Sequence, residues 1–230
     1  AAMKTKLRIE LTALALALLS GGMASARPLT PGDWKAEDHS GRMELRLESD
    51  TLDIVSPEGV TLWYCPRLED DYEISYHACV CMQGGPHDRL SDLNCFWGAA
   101  DPVSPDDLFA RSAWRNGIFP RYKTLTLFYV GYGGNNNSTT RFRRYYGADE
   151  ECPDATARPV IREYSDPDHL LRPNRWLHIV IRVEQGATTY TVDGEELFRQ
   201  EVGPGTCDGH FGLRLLENHV RIAGFEVKPL

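Results

Sequence analysis

Glu73-Ile74-Ser75-Tyr76-His77-Ala78-Cys79-Val80-Cys81-Met82 places Ile74, Tyr76, Ala78, Val80 and Met82 on one face and Glu73, Ser75, His77, Cys79 and Cys81 on the other. A period of two is what a β-strand with one face in a core requires. The same period recurs outward in both directions. Met43, Leu45 and Leu47 alternate with charges, and Val60, Leu62 and Tyr64 follow the Pro57-Glu58-Gly59 turn. Downstream the runs are 94–98, 125–132, 140–145, 177–184, 188–192, 197–202, 211–215 and 220–227. That makes about eleven strands, while no window after residue 27 holds a 3.6-residue apolar period. Polar pairs such as Gln185-Gly186 and Asp193-Gly194 have hairpin-turn chemistry. So many strands can bury their apolar faces only sheet against sheet, which predicts an all-β sandwich or jelly roll of two antiparallel sheets.

The 230 residues are 42% hydrophobic and 25% charged, which excludes a disordered chain, a collagen or a coiled coil. The net charge is −8 and no basic block stands out, so nucleic acid is excluded as a partner. Met3, the cations Lys4, Lys6 and Arg8, the apolar run Leu11 to Leu19 and Ala24-Ser25-Ala26 have the layout of a signal peptide. The apolar run is about half of the roughly 20 residues that span a bilayer. Residues 1–26 are therefore expected to be cleaved, with the protein secreted or periplasmic and not membrane-bound afterwards. Removal of 26 residues, including Lys4, Lys6, Arg8 and Glu10, leaves a single domain, 27–230, of 204 residues and net charge −10.

Cys65, Cys79, Cys81, Cys95, Cys152 and Cys207 form no metal pattern. Cys79 and Cys81 share a strand face and cannot readily bridge each other, and Cys65 and Cys95 sit among aromatics as small core side chains do. Cys152 and Cys207 each lie in a turn-rich loop, and a disulfide between them is expected. No H-x-H, H-E-x-x-H, Asp-rich loop, P-loop, dinucleotide or G-x-S-x-G motif occurs, so neither a metal nor a cofactor is expected.

Two segments put costly polar side chains at strand positions. The first runs from Gln83 to Trp97 and includes His87-Asp88-Arg89; in it Asp92 and Asn94 share one face and Leu93 and Cys95 the other. In the hairpin from Tyr129 through Gly133-Gly134-Asn135-Asn136-Asn137 to Tyr146, three arginines, Arg141, Arg143 and Arg144, accompany Tyr129, Tyr132, Tyr145 and Tyr146. Arginine forks hold carboxylates bidentately and tyrosines stack on rings and carry a titratable hydroxyl, which suits an acidic sugar. A solvated edge strand whose arginines pair with surplus carboxylates fits the same composition. Arg141 and Arg144 lie on opposite faces, and the face of Arg141, Arg143 and Tyr145 with Asn94 and Tyr129 is favoured. His219, after Glu217-Asn218, is held in reserve together with Tyr146.

Ser91 to Trp97, Phe109-Ala110-Arg111-Ser112, Phe128 to Asn135, Thr140 to Tyr145 and Gly209-His210-Phe211-Gly212-Leu213-Arg214 resemble a family of secreted bacterial domains of unknown function. More distantly, Trp63-Tyr64-Cys65-Pro66 and the strand Asn94 to Ala99 look like the YesU-like family, associated with rhamnogalacturonan utilisation. The resemblance covers nearly all of the chain after Ala26. It implies a concanavalin-A-like jelly roll and a role with polysaccharides, and it carries no catalytic residue. The run from Arg175-Trp176 through Val192-Asp193-Gly194 to Val227 is similar to keto-glycoside hydrolases of that fold. Trp114-Arg115-Asn116-Gly117 departs from the Gly-Arg-Phe-like segment of the family, which puts the geometry of that loop in question.

Three functions follow. A polysaccharide lyase would cleave beside a uronic acid by β-elimination, needing a cation for the carboxylate, a base and an acid. Tyr145, Arg141, Arg143, His219 and Asp92 are the candidates for those roles, with Asn94, Trp97, Tyr129, Tyr132, Asn135, Arg144 and Tyr146 as substrate-binding residues. A glycoside hydrolase would use Asp92 as one of two carboxylates, with Asp88, Asp101 and Glu217 only sequence neighbours of the second role. A binding module would present Tyr129, Tyr132 and Trp97 for stacking. In each case the partner is an acidic polysaccharide or oligosaccharide. Asp92 is expected to form an ion pair with an arginine of the hairpin, the nearest rich source of cations.

Overall fold

Backbone hydrogen bonding turns the alternating segments into twelve strands in a computed structural model that describes residues 30–230. The proposed signal segment, 1–26, lies outside the described residues. In chain order the strands are β1 (Trp34–Asp38), β2 (Glu44–Glu48), β3 (Thr51–Tyr64), β4 (Tyr72–Val80), β5 (Leu93–Ala100) and β6 (Thr126–Gly133). They continue as β7 (Thr139–Tyr146), β8 (Val160–Tyr164), β9 (Trp176–Glu184), β10 (Ala187–Val192), β11 (Glu195–Glu201) and β12 (His210–Pro229). The strands pair antiparallel in the order β11-β10-β9-β4-β12-β5-β6-β7-β8, with β3 also beside β12 and with β1 and β2 on β3.

Two long strands make this ladder a sandwich. The first part of β12 pairs with β5 and the second part with β4, and the register shifts between Leu216 and Asn218, where Glu217 takes φ 47°. A bulge of this kind bends a strand. One layer is therefore β5 to β8 with the start of β12, and the other is β4 and β9 to β11 with its end. Aromatic rings meet between them: Trp97 of β5 stacks on Tyr190 of β10 at 6.3 Å, and Phe142 of β7 on Phe198 of β11 at 5.3 Å. One core cluster draws residues from Trp34 to Phe225.

The runs 211–215 and 220–227 are one strand, because the bulge bends the chain without ending it. Strand β8 carries no alternation to read: Val160 to Arg162 are all exposed at the edge of the layer. Gln185-Gly186 and Asp193-Gly194 both take positive φ, the geometry of tight hairpin turns. The expected Cys152 to Cys207 disulfide is not formed. Cys207 is buried in the sandwich core, while Cys152 is half-buried in a loop whose carbonyl groups are held by Lys123.

Candidate functional site

Register places one row of outward-facing side chains across five strands. Arg214 of β12 lies between Thr61 of β3 and Asn94 of β5, Asn94 opposite Gly131 of β6, and Gly131 opposite Arg141 of β7. Their strand neighbours Leu213, Leu215, Cys95, Val130 and Phe142 all face the core, so this row has to face outward. Part of that outer face is covered by the segment between β5 and β6, whose Leu108, Tyr122 and Leu125 pack with Trp63, Phe96, Tyr129 and Tyr145. The uncovered part is a groove made of two adjoining cavities of about 350 and 430 Å³, which share Asp92, Phe119, Tyr129 and Leu216. Gly131 is needed there: a Cβ would stand 2.8 Å from the Tyr129 hydroxyl, which folds over it.

Beneath the covering segment lies a buried charge network. Arg115, fully buried, donates to Glu37 at 2.8 Å, to Asp101 at 3.1 Å and to the Leu108 carbonyl. Ser112 and Tyr122 donate to the same Glu37 carboxylate, and Arg111 to Asp101. The unusual Trp114-Arg115-Asn116-Gly117 loop is thus tied to the sandwich by its arginine. Asn116 and Gly117, both at positive φ, then turn the chain so that Ile118 and Phe119 enter the groove wall.

At the floor, Arg214 is only 4% exposed. Its Nη1 donates to the Gly117 carbonyl at 2.8 Å and reaches Thr61 Oγ1 at 3.5 Å, with Phe119 and Tyr122 rings 5.1 and 5.4 Å from the guanidinium. Burial pushes its pKa down, against the pull of the Tyr122 and Tyr129 hydroxyls. Asp92 takes φ 61°, a left-handed conformation that Asp tolerates, and points its carboxylate into both cavities. Oδ2 accepts from Arg89 at 2.6 and 2.7 Å and from Ser91 Oγ at 2.9 Å; Oδ1 accepts from Asn94 Nδ2 at 3.1 Å. Burial raises the Tyr129 pKa well above its ordinary value, so its hydroxyl keeps its proton at neutral pH and can donate a hydrogen bond.

The hairpin end is cationic. Arg141 pairs with Glu163 of β8, Arg143 donates to the Arg158 carbonyl at 2.6 Å, and Arg158 donates to the Tyr145 hydroxyl at 3.0 Å and to Asp154. The hydrogen bond from Arg158 holds the Asp154 carboxyl at about 2. Asn135 and Asn136 close this end from a turn whose three asparagines all take positive φ. Among the described residues no group of His, Cys, Asp and Glu could hold a metal ion.

Of the residues expected from sequence, Asp92, Asn94, Tyr129, Asn135, Arg141 and Arg143 line the groove. Asp92 pairs with Arg89, three residues away, and not with a hairpin arginine. Tyr145 is wholly buried beneath the groove and can only position Arg158. Trp97 and Tyr132 face the core, where Trp97 donates to Thr188. Arg144 and Tyr146 project from the other side of β7, Arg144 over the Phe128 ring. His219 stands past the bulge, beside Val220 of the core, and contacts Asp53 and Asp88 away from the groove. Arg214, Arg158 and Phe119 line the groove without being expected there from sequence, and Arg89, inside the polar segment 83–97, has no role assigned to it by sequence. For Arg214 the signal existed, an arginine between the core positions Leu213 and Leu215.

Residues 54–225 match a family described as a domain of unknown function, DUF6250. The chain belongs to that family. No curated protein matches it. Among solved structures, this DUF6250 chain is similar to a Bacillus subtilis protein of unknown function with a galectin-like fold. That similarity has a TM-score of 0.64 at 17% identity, covering 86% of this chain and 90% of the other. It is also similar to the carbohydrate-binding module CBM66 from Bacillus subtilis (TM-score 0.51, 12% identity, 85% and 95% covered). A β-1,3-1,4-glucanase derived from a mouse hindgut metagenome has a TM-score of 0.52 at 10% identity, with 90% and 98% covered. These likenesses establish the lectin and glucanase type of jelly-roll sandwich for the DUF6250 chain.

Proposed function

We propose that the groove binds an acidic glycan. The observation that carries this reading is the charge of the groove against that of the chain. A protein of net charge −8 gathers Arg89, Arg141, Arg143, Arg158 and Arg214 around one groove, walled by Phe119 and Tyr129, with only Asp92 and Asp154 as carboxylates. From β12 to β7 the groove crosses three strand spacings, about 14 Å, which is room for more than one sugar ring. The fold supports the reading, because it serves a carbohydrate-binding module and a glucanase elsewhere. The sequence resemblance puts rhamnogalacturonan-type pectic chains first among the glycans to test, and the signal-peptide layout of residues 1–26 is what supports an encounter in the periplasm or outside the cell.

Affinity electrophoresis against uronate-containing and neutral polysaccharides tests this. Retardation is expected in the acidic gels, and equal mobility in every gel would remove the reading. Of the two enzymatic readings, elimination has one geometric observation in its favour: Tyr129 lines the same cavity as the buried cation Arg214. A cation for the carboxylate and an acid for the leaving oxygen are two of the three groups that elimination needs. Rising absorbance of an unsaturated product, abolished by Tyr129→Phe, is the outcome expected of a lyase. Hydrolysis is less well served. Asp92 and Asp154 are both ion-paired, and Asp154, held at about 2 by Arg158, is not poised to act as a general acid.

A further inference from the structure

Two buried arginines in this protein are treated in opposite ways. Arg115 has two carboxylates, Glu37 and Asp101, within 3.1 Å. Arg214, 4% exposed, has no carboxylate within ion-pair distance among the described residues. Asp92 in the same cavity acts on it only at longer range, and its Nη1 donates to a neutral carbonyl. A buried guanidinium without an anion is costly, and the cost is removed when a ligand brings the anion. The backbone is shaped for it: a Cβ on Gly59 would stand 2.7 Å from Arg214 Nη2 and 2.6 Å from the Gly117 carbonyl.

Asn94 is the direct cross-strand neighbour of Arg214, is also 4% exposed and lines the same cavity. Its amide cannot flip, because the Asp92 carboxylate can only accept and so requires Nδ2 on its side. That leaves Asn94 Oδ1 as a buried acceptor without a donor. The Arg89 to Asp92 to Asn94 chain therefore fixes an unfilled acceptor beside an unfilled cation. One ligand unit satisfies both if it carries a carboxylate and, nearby on the same ring, a hydroxyl. A neutral sugar would leave the cation unpaired.

We propose that Arg214 and Asn94 form a uronate subsite, in which the guanidinium takes the carboxylate of a uronic-acid unit and Asn94 Oδ1 accepts from a hydroxyl of the same ring. This rests on the glycan-groove reading and sharpens it, since the rim arginines could hold any anion. The test is calorimetric titration of the protein with digalacturonate, its methyl ester and its carboxyl-reduced neutral counterpart, with a sulfated neutral disaccharide as a second anion. The acid should bind roughly tenfold to a hundredfold more tightly than the ester and the neutral sugar, the range of a charge-assisted hydrogen-bonded contact. The sulfated sugar should not match it. Arg214→Met should erase the preference of acid over ester, Arg214→Lys should restore only part of it, and Asn94→Ala should weaken the acid without changing which form is preferred. Equal binding of acid and ester by the wild type overturns the subsite even if Arg214→Met does not fold, and so does a preference that survives in Arg214→Met. If acidic polysaccharides bind while acid and ester do not differ, the subsite alone fails. If no glycan binds at all, the groove reading falls with it.

Discussion

Replacing Arg115 by Met should destabilise the protein strongly and disable the groove together with it. Arg115 has no exposed surface, and its partners Glu37 and Asp101 have fully buried side chains. Met matches much of the volume but leaves both carboxylates short of their main cation. Asp101 keeps Arg111 at 3.2 Å, whereas Glu37 keeps only the neutral donors Ser112 and Tyr122. Stranding a buried charge in this way costs about 3 to 5 kcal/mol. For a domain of this size each kcal/mol shifts the melting temperature by about 2 to 4 °C, so the loss should be roughly 6 to 20 °C. Differential scanning calorimetry at neutral pH measures it. Glu37→Gln on the Arg115→Met background removes the stranded charge and keeps an acceptor for Ser112 and Tyr122, so it should recover part of the loss. Acid-glycan affinity should fall as well, because the loop supplies the Gly117 carbonyl and Phe119. A melting temperature within about 3 °C of wild type, or no recovery in the double variant, would refute the stranded-charge argument.

Gly59→Ala should lower affinity for an acidic glycan more than it lowers stability, since its Cβ would displace Arg214 Nη2 and the Gly117 carbonyl; unchanged affinity by calorimetry would count against the close fit. Asp154 gives a prediction in pH. The hydrogen bond from Arg158, with help from Lys123, depresses its folded pKa to about 2, so its stabilisation is fully present above the ordinary carboxyl value near 4 and is lost as pH falls through about 2. Because the side chain is about half exposed, the contribution is screened to about 1 kcal/mol or less. Urea midpoints of wild type and Asp154→Asn should differ at about pH 6, draw together as pH falls through about 2 and converge by about pH 1; a gap that stays at its pH 6 size there would mean that the carboxylate charge is not its source.

Much of this architecture is written in local alternation. The period of two over Glu73 to Met82 and its repeats specified strands, their buried faces and, once many such faces needed cover, a sandwich. Backbone geometry forces alternate side chains to opposite faces, so Arg141 with Arg143 is a set that sequence defines without a structure. Asp92, at positive φ just before β5 begins, meets Asn94 through a hydrogen bond and not through strand alternation. The asparagine turn and the two Gly hairpins are equally local.

What alternation cannot say is which strands become neighbours. Asn94 and Arg214 are far apart in sequence and meet only because β12 pairs with β5. Trp97 and Tyr132 resemble stacking residues as residue types, and only the closing of the second layer over them puts them in the core. Asp92 drew its cation from Arg89 nearby because its left-handed backbone turns the carboxylate back toward residue 89. At Glu217 a left-handed residue stands opposite the extra residue that β3 carries at Pro57-Glu58, and this shift of register carries His219 onto the outer face of the other layer. Periodicity is fixed residue by residue by the backbone, whereas the site is fixed by pairings and one bulge between segments that have no local reason to meet.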